Sequence, residues 1–121
     1  MKKIVLVCGS RDYDDHKFIF EQLNILFLKY GIKKIISGGC SGADSLAEKY
    51  AKNNNLPITI IRANWKKYGK KAGPIRNKEM IKLKPNIVVA FSSKHYLTPG
   101  TKNMVSLAEK KGIKVLEFYK F

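Results

Sequence analysis

Lys34-Ile35-Ile36-Ser37-Gly38-Gly39-Cys40-Ser41-Gly42-Ala43-Asp44-Ser45-Leu46-Ala47 is the stretch that decides the fold of this chain. Lys34–Ser37 is a short, largely apolar run that reads as a strand, and Gly38-Gly39 stops it. From Ala43 to Asn54, the residues Leu46, Ala47, Tyr50 and Ala51 recur at helical spacing. A strand passing through a glycine-rich turn straight into a helix is the first half of a crossover between parallel strands.

The same pattern repeats on either side. Lys3–Cys8 is an apolar run rich in β-branched residues, closed by Gly9, and reads as a strand buried on both faces. Asp15–Tyr30 places Ile19, Leu23, Leu26, Phe27 and Tyr30 on one helical face, with Asp14 or Asp15 as cap and Gly31 as stop. Pro57 opens a third strand, Ile58–Ile61. Pro74 suits the first turn of a helix reaching about Leu83. Ile87–Phe91 is the fourth strand and Val115–Phe118 the fifth. Between them Thr101–Lys111 forms a helix with Met104, Val105 and Ala108 inward, ended by Gly112. Arg62–Gly73 lacks periodicity and reads as an irregular working loop. Alternating strands and helices imply a parallel sheet covered on both sides, and right-handed crossovers favour the order 3-2-1-4-5. The expectation is one three-layer α/β domain over residues 1–121, with ligands bound outside the carboxyl ends of strands 1 and 4.

Composition narrows the classes. The chain has 121 residues, 45% of them hydrophobic, which suits one folded domain. No apolar run approaches the roughly 18 residues of a membrane span, and Ile4–Cys8 is too short for a signal-peptide core. An intracellular, cytoplasmic protein is expected, with Cys8 and Cys40 as reduced thiols. Two Cys and two His (His16, His95) at unrelated spacings form no familiar metal-ligand set, so no metal site is assigned. The net charge of +15 suggests a polyanionic partner. That signal is weakened because the charge is nearly all lysine scattered over every segment, in an Asn-, Ile-, Phe- and Tyr-rich composition typical of AT-rich genomes. Arg11, Arg62 and Arg76 are the only arginines, and Arg11 and Arg76 stand in motif-like contexts.

The informative residues gather just after strands. Gly9-Ser10-Arg11-Asp12 follows the first, Gly38–Asp44 the second, and a loop ending Pro99-Gly100-Thr101 the fourth. Ala72-Gly73-Pro74-Ile75-Arg76-Asn77 opens the third helix. A helix start leaves about four N–H groups unpaired and carries partial positive charge, and glycines let an anion approach them. Ser10, Ser41 and Thr101 add hydroxyls, and Arg11 and Arg76 can bind phosphate or carboxylate in a bidentate manner. Asp44 can accept from a ribose hydroxyl or a base N–H, or simply stabilise the helix dipole. The glycine spacing matches neither G-x-G-x-x-G nor G-x-x-x-x-G-K-[ST]. No cofactor is assigned. Trp65 either stacks on a base or anchors its loop. Lys66, Lys67, Lys70 and Lys71 form either a lid over phosphates or a solvated turn. Cys40 sits where a thiolate is favoured, though a small residue suits the turn for shape alone.

These residues, together with Leu46-Ala47, Tyr50-Ala51, Ala63-Asn64-Trp65 and Met80, resemble the YspA-like branch of the SLOG superfamily. The resemblance covers nearly the whole chain in motif order. It implies a Rossmann-like fold. The superfamily also holds the LONELY GUY phosphoribohydrolases and the DNA-processing protein A group. Its members are thought to bind nucleotides or nucleotide-derived ligands, some as sensors in phage defence. The YspA-like branch is common in bacteria and phages. Catalytic relatives use Arg followed four residues later by Met, then Pro-Gly-Gly-x-Gly-Thr with Glu three positions after the Thr. Arg76-x-x-x-Met80 fits the first part. The second departs: only Pro99-Gly100-Thr101 remains, and Met104 stands at the Glu position. Cleavage of an N-glycosidic bond wants a carboxylate there, and Asp44 and Asp12 are the nearby substitutes.

The leading expectation is a binder of a nucleotide or nucleotide-derived ligand, acting as sensor or sequestering protein. Its ligand-binding residues would be Gly9, Ser10, Arg11, Gly38, Gly39, Ser41, Gly42, Asp44, Trp65, Arg76, Asn77, Pro99, Gly100 and Thr101. The first alternative is a nucleoside-monophosphate phosphoribohydrolase using Arg76 and Asp44. The second is a DNA- or RNA-binding module, motivated by the charge and the DNA-processing relatives. Homo-oligomerisation is implied by the resemblance; no membrane partner is expected.

Overall fold

A computed structural model describes residues 1–120 of the chain. In order, the elements are β1 (Lys3–Gly9), α1 (His16–Tyr30), β2 (Ile32–Ser37), α2 (Ala43–Asn53), β3 (Ile58–Ile60), α3 (Trp65–Tyr68), α4 (Ala72–Lys82), β4 (Ile87–Phe91), α5 (Pro99–Lys110) and β5 (Lys114–Phe118). The five strands form one sheet in the order β3-β2-β1-β4-β5, and every neighbouring pair is parallel. The expected α/β architecture and strand order are therefore those of the protein.

The central strands explain why the sheet is two-sided. Along β1 and β4 successive residues alternate between two apolar layers. Val5, Val7, Val89 and Phe91 pack with Ile19 and Leu23 of α1 and with Ala47 and Tyr50 of α2. Leu6, Cys8, Val88 and Ala90 pack with Met80 and Ile81 of α4 and with Met104, Val105 and Ala108 of α5. Each Val, Leu, Ile, Phe or Met among them, taken fully from water, contributes about 1.5–3 kcal/mol. Register places Val5 opposite Ile87 and Gly9 opposite Phe91, so β1 and β4 end level at the carboxyl edge. The strand order reverses there, and loops from both sides of the sheet meet.

The structure corrects several boundaries. Residues 62–73 are not irregular: Asn64 caps the short helix α3 by accepting from the Lys67 N–H, and a 3-10 turn, Gly69–Lys71, leads into α4. None of α3 is buried, so no apolar periodicity marked it. α4 begins at Ala72, with Pro74 in its first turn as expected, while α5 begins at Pro99, two residues ahead of the expected Thr101. First-turn N–H groups need no intrahelical partner, so Pro is tolerated there. β2 starts at Ile32, which pairs with Lys3, and β3 stops at Ile60. Asp15 caps α1 by accepting from the Phe18 N–H at 3.2 Å. In α1 the buried stripe is Ile19, Leu23 and Leu26, whereas Phe27 is 37% exposed. No helix among the described residues is long and apolar enough to cross a membrane.

Candidate functional site

Two loops cross, backbone against backbone, at the carboxyl edge. Ser10, just after β1, has its carbonyl held by the N–H groups of Tyr13 and Ala43, each at 3.2 Å. The second bond fastens the β1–α1 loop to the start of α2. The crossing is close enough to demand glycine on both sides. A Cβ on Gly9 would stand 2.1 Å from the Phe91 carbonyl oxygen, and one on Gly42, whose φ is +74°, would stand 2.2 Å from the Ser10 carbonyl oxygen. Ser41 Oγ adds a bond to the Arg11 carbonyl at 2.9 Å.

On the other side of the turn Arg76 reaches across from α4. Its Nη1 donates to the Gly38 carbonyl at 2.7 Å and lies 3.8 Å from Cys40 Sγ, and its Nε donates to Asn77 Oδ1 at 3.0 Å. Asp44 closes the turn from the start of α2, its Oδ2 accepting the Cys40 N–H at 3.1 Å. Gly38 is pinned between the two charges: a Cβ there would meet Arg76 Nη1 at 2.5 Å and Asp44 Oδ2 at 2.9 Å. Asp44 is only 6% exposed. Burial pushes its carboxyl up to about 6, although the Cys40 backbone bond and the Arg76 charge pull the other way. Glu48, one turn along α2, adds to the rise by like charge.

Asn77, also buried, joins the fourth motif to the third. Its Nδ2 donates to the Gly100 carbonyl at 3.2 Å and to Asn103 Oδ1 at 2.9 Å. Arg11 is exposed and lies over the Trp65 ring at 5.5 Å, while Trp65 borders Gly73 at the start of α4. The chain of contacts thus runs from Arg11 and Trp65 through Ser41 and Gly38 to Arg76, Asn77 and Gly100. All four motifs meet at one edge of the sheet.

The helix starts differ in a way that bears on ligands. α1 and α3 carry side-chain caps, from Asp15 and Asn64. The caps of α2, α4 and α5, which are Gly42, Lys71 and Thr98, supply none. α2 and α5 open at the shared edge, where an incoming anion would meet first-turn N–H groups that no side chain caps, apart from the Ala43 N–H, which the Ser10 carbonyl holds.

Some groups taken for ligand donors are engaged within the protein. The Gly39 N–H bonds Ser37 Oγ at 3.1 Å, and the Cys40 N–H is held by Asp44. The buried Ser10 hydroxyl accepts the Ser93 N–H at 3.0 Å and the buried Thr101 hydroxyl accepts from Thr98 Oγ1 at 3.1 Å, which fixes both oxygens and leaves their protons to donate. Met104 is buried in the sheet–helix core, as its inward position in the helix pattern implies. Asp12 is exposed and accepts from Ser93 Oγ at 2.7 Å, a bond that lowers its pKa.

Three contributors were not singled out from sequence. Arg62 Nη1 donates to the Gly39 carbonyl at 2.8 Å and holds the outer side of the turn. Ser37 Oγ donates to Glu48 Oε2 at 2.6 Å beneath it. Asn103 fixes Asn77. The i, i+4 spacing of Asp44 and Glu48 was the one available signal, since it puts both carboxylates on one helical face.

Comparison with known proteins gives the family. Residues 3–68 match the model of the YspA, cpYpsA-related SLOG family. That span carries Gly9–Arg11, the whole Gly38–Asp44 turn and Trp65. The chain is also 32% identical to the Gene 61 protein of Mycobacterium phage D29 over 121 residues, an alignment covering 94% of each protein. With more than half of its length matched by the family model and a parallel sheet in accord, the chain belongs to the YspA, cpYpsA-related SLOG family.

Proposed function

We propose that the protein binds a nucleotide or nucleotide-derived ligand at the carboxyl edge of its sheet and serves as a sensor or sequestering protein. One observation carries this reading. A buried carboxylate, Asp44, and a guanidinium, Arg76, converge on Gly38 beside two helix starts without side-chain caps. A carboxylate held out of water destabilises the fold and is most readily understood as a recognition group. In this reading the phosphate lies between the starts of α2 and α5, near Ser41, Gly42, Pro99, Gly100 and Thr101. Arg11 and Arg76 clamp it, Asp44 reads sugar or base while the fully bonded Asn77 holds Arg76 and the start of α5 in place, and Trp65 stacks. Gly9, Ser10, Gly38 and Gly39 shape the floor. Membership in a SLOG family supports the same class of ligand.

Purified protein titrated with a panel of nucleotides should show thermal stabilisation. A ligand at a hundred times its Kd adds about 2.7 kcal/mol to apparent stability. Arg76→Ala should abolish the ligand-dependent shift, whatever its effect on the unliganded melting point. Arg76→Lys should retain only part of it, because a point charge cannot replace the planar fork. No shift with any nucleotide removes the proposal.

One observation favours a second reading, N-glycosidic cleavage of a nucleoside monophosphate. Asp44, at about 6, suits proton transfer near neutral pH. Chromatographic detection of free base, lost in Asp44→Asn, would establish it. Intact nucleotide after prolonged incubation leaves binding as the function. For the nucleic-acid alternative, the discriminating measurement is oligonucleotide affinity near physiological salt.

A further inference from the structure

α4 and α5 are tied together at the end nearest the candidate site, where Asn77 bonds Gly100 and Asn103. Toward their carboxyl ends they border a groove of about 670 Å³ at the opposite edge of the sheet. That volume is within the roughly 300–1,000 Å³ usual for binding pockets. Its apolar surface comes from Ile81, Pro85, Leu107 and Ile113. Its charged surface is entirely basic: Lys78 and Lys82 on α4, Lys84 just beyond it, and Lys110 and Lys111 at the end of α5, all of them exposed. No Asp or Glu lines it.

Lysines near a helix end can simply complement the dipole. That role needs about one cation per helix and no apolar floor between them. Lys84 adds a further sign, since it holds φ at +57°, a conformation in which glycine is the unstrained choice.

We infer that this groove docks an acidic amphipathic segment of a partner protein, whose apolar side chains enter the floor while its carboxylates meet the lysines on both walls. The other occupants fit less well. A second copy of a chain with net charge +15 would bring lysines against lysines. A single-stranded nucleic acid would find no aromatic ring on the floor to stack against, and a duplex would meet the lysines with phosphates but leave the apolar floor unfilled. An amphiphile with a single charged head would leave most of the lysines unmatched. Docking here leaves the carboxyl edge open, so partner and nucleotide can be held at once.

The test uses the whole protein and a fluorescein-labelled synthetic helix with Leu at i, i+3, i+4 and i+7 and Glu elsewhere. Fluorescence anisotropy near physiological salt should show saturable binding. A control peptide with every Leu changed to Ser should bind at least tenfold more weakly. Lys82→Glu combined with Lys111→Glu, both exposed, should weaken binding tenfold or more. Lys17→Glu combined with Lys49→Glu makes the same charge change on exposed positions of α1 and α2 and should cost less than threefold. Leu107→Asp should also abolish binding. Because Leu107 packs on the core, its melting curve is recorded alongside, and the double lysine variant decides the matter if that protein unfolds. Absence of saturable binding, equal binding of the Ser peptide, or equal loss in the two charge-reversal pairs overturns the inference. So does self-association of the free protein that disappears in the Lys82/Lys111 variant, which would give the groove to a second copy.

Discussion

Gly9→Ala and Gly42→Ala will each lower the melting temperature by roughly 10 °C or more, while Gly100→Ala will leave it unchanged or slightly raised. The difference lies in what a methyl group would meet. At Gly9 it would be 2.1 Å from the Phe91 carbonyl oxygen and 2.7 Å from Ala43 Cβ. At Gly42 it would be 2.2 Å from the Ser10 carbonyl oxygen and 2.6 Å from the Arg11 carbonyl carbon. These are mostly backbone atoms on the central strands or the loops leaving them. They cannot retreat without breaking the Ser10 N–H bond to Phe91 at 2.9 Å and the Ala43 N–H bond to Ser10 at 3.2 Å. Gly42 also sits at φ +74° and ψ −127°, outside the left-handed helical well in backbone space essentially confined to glycine, which alone costs an L-residue about 1–3 kcal/mol. A total near 3 kcal/mol, at roughly 3–6 °C per kcal/mol for a domain of this size, gives the expected drop.

Gly100 is different in kind. Nothing lies within 4 Å of the position a Cβ would take, and alanine is the better residue in a helix. Its glycine is therefore not required by internal packing. In the proposed function the open space is where the anion approaches the start of α5. Gly100→Ala should then fold normally and yet lose nucleotide-induced stabilisation. Equal melting loss for all three variants would show that the two-loop crossing is less rigid than its geometry implies.

How far the sequence could be read follows from the same physics. β1 and β4 were legible because both faces are buried and every residue of IVLVC and IVVAF is apolar or small. The strand order followed from the alternation of elements. Phe27 was misplaced because Leu26-Phe27-Leu28 is continuously apolar and gives two neighbouring phases of a helical stripe equal support. α3 was missed because a four-residue helix that buries nothing has no pattern to show. Which residues gather at the carboxyl edge was legible in residue type, since glycine, serine and arginine clustered after strands. Which donors remain available was not. The Ser10 and Thr101 hydroxyls carry the right chemistry, but their partners, Ser93 and Thr98, come from a loop without periodicity. Arg62 acts across the end of β3, a relation that no spacing along the chain encodes.

Asp44→Asn will make the protein more stable than the natural chain at pH 7, and the two will converge near pH 4. The unfolded Asp44 carboxyl titrates near its ordinary value of 3.8, whereas the folded one is raised to about 6. Between those pH values the folded state keeps a proton that the unfolded state has released. Stability is greatest below the lower value and falls as pH rises through the higher one. The deficit at neutral pH is on the order of 2–3 kcal/mol, at 1.36 kcal/mol per pKa unit. Asparagine keeps a side-chain oxygen to accept the Cys40 N–H and forfeits only the attraction to Arg76, so about 1–2 kcal/mol of that deficit should be regained. Melting curves of both proteins from pH 4 to 8 should show a downward slope in the natural chain that flattens in Asp44→Asn. Parallel curves would mean that Arg76 and the turn amide fully compensate for burial. The same substitution should weaken nucleotide binding at pH 7, because an amide oxygen accepts a sugar hydroxyl less strongly than a carboxylate does. A variant that gains stability while losing its ligand is the signature of a residue kept for recognition, against the interest of the fold.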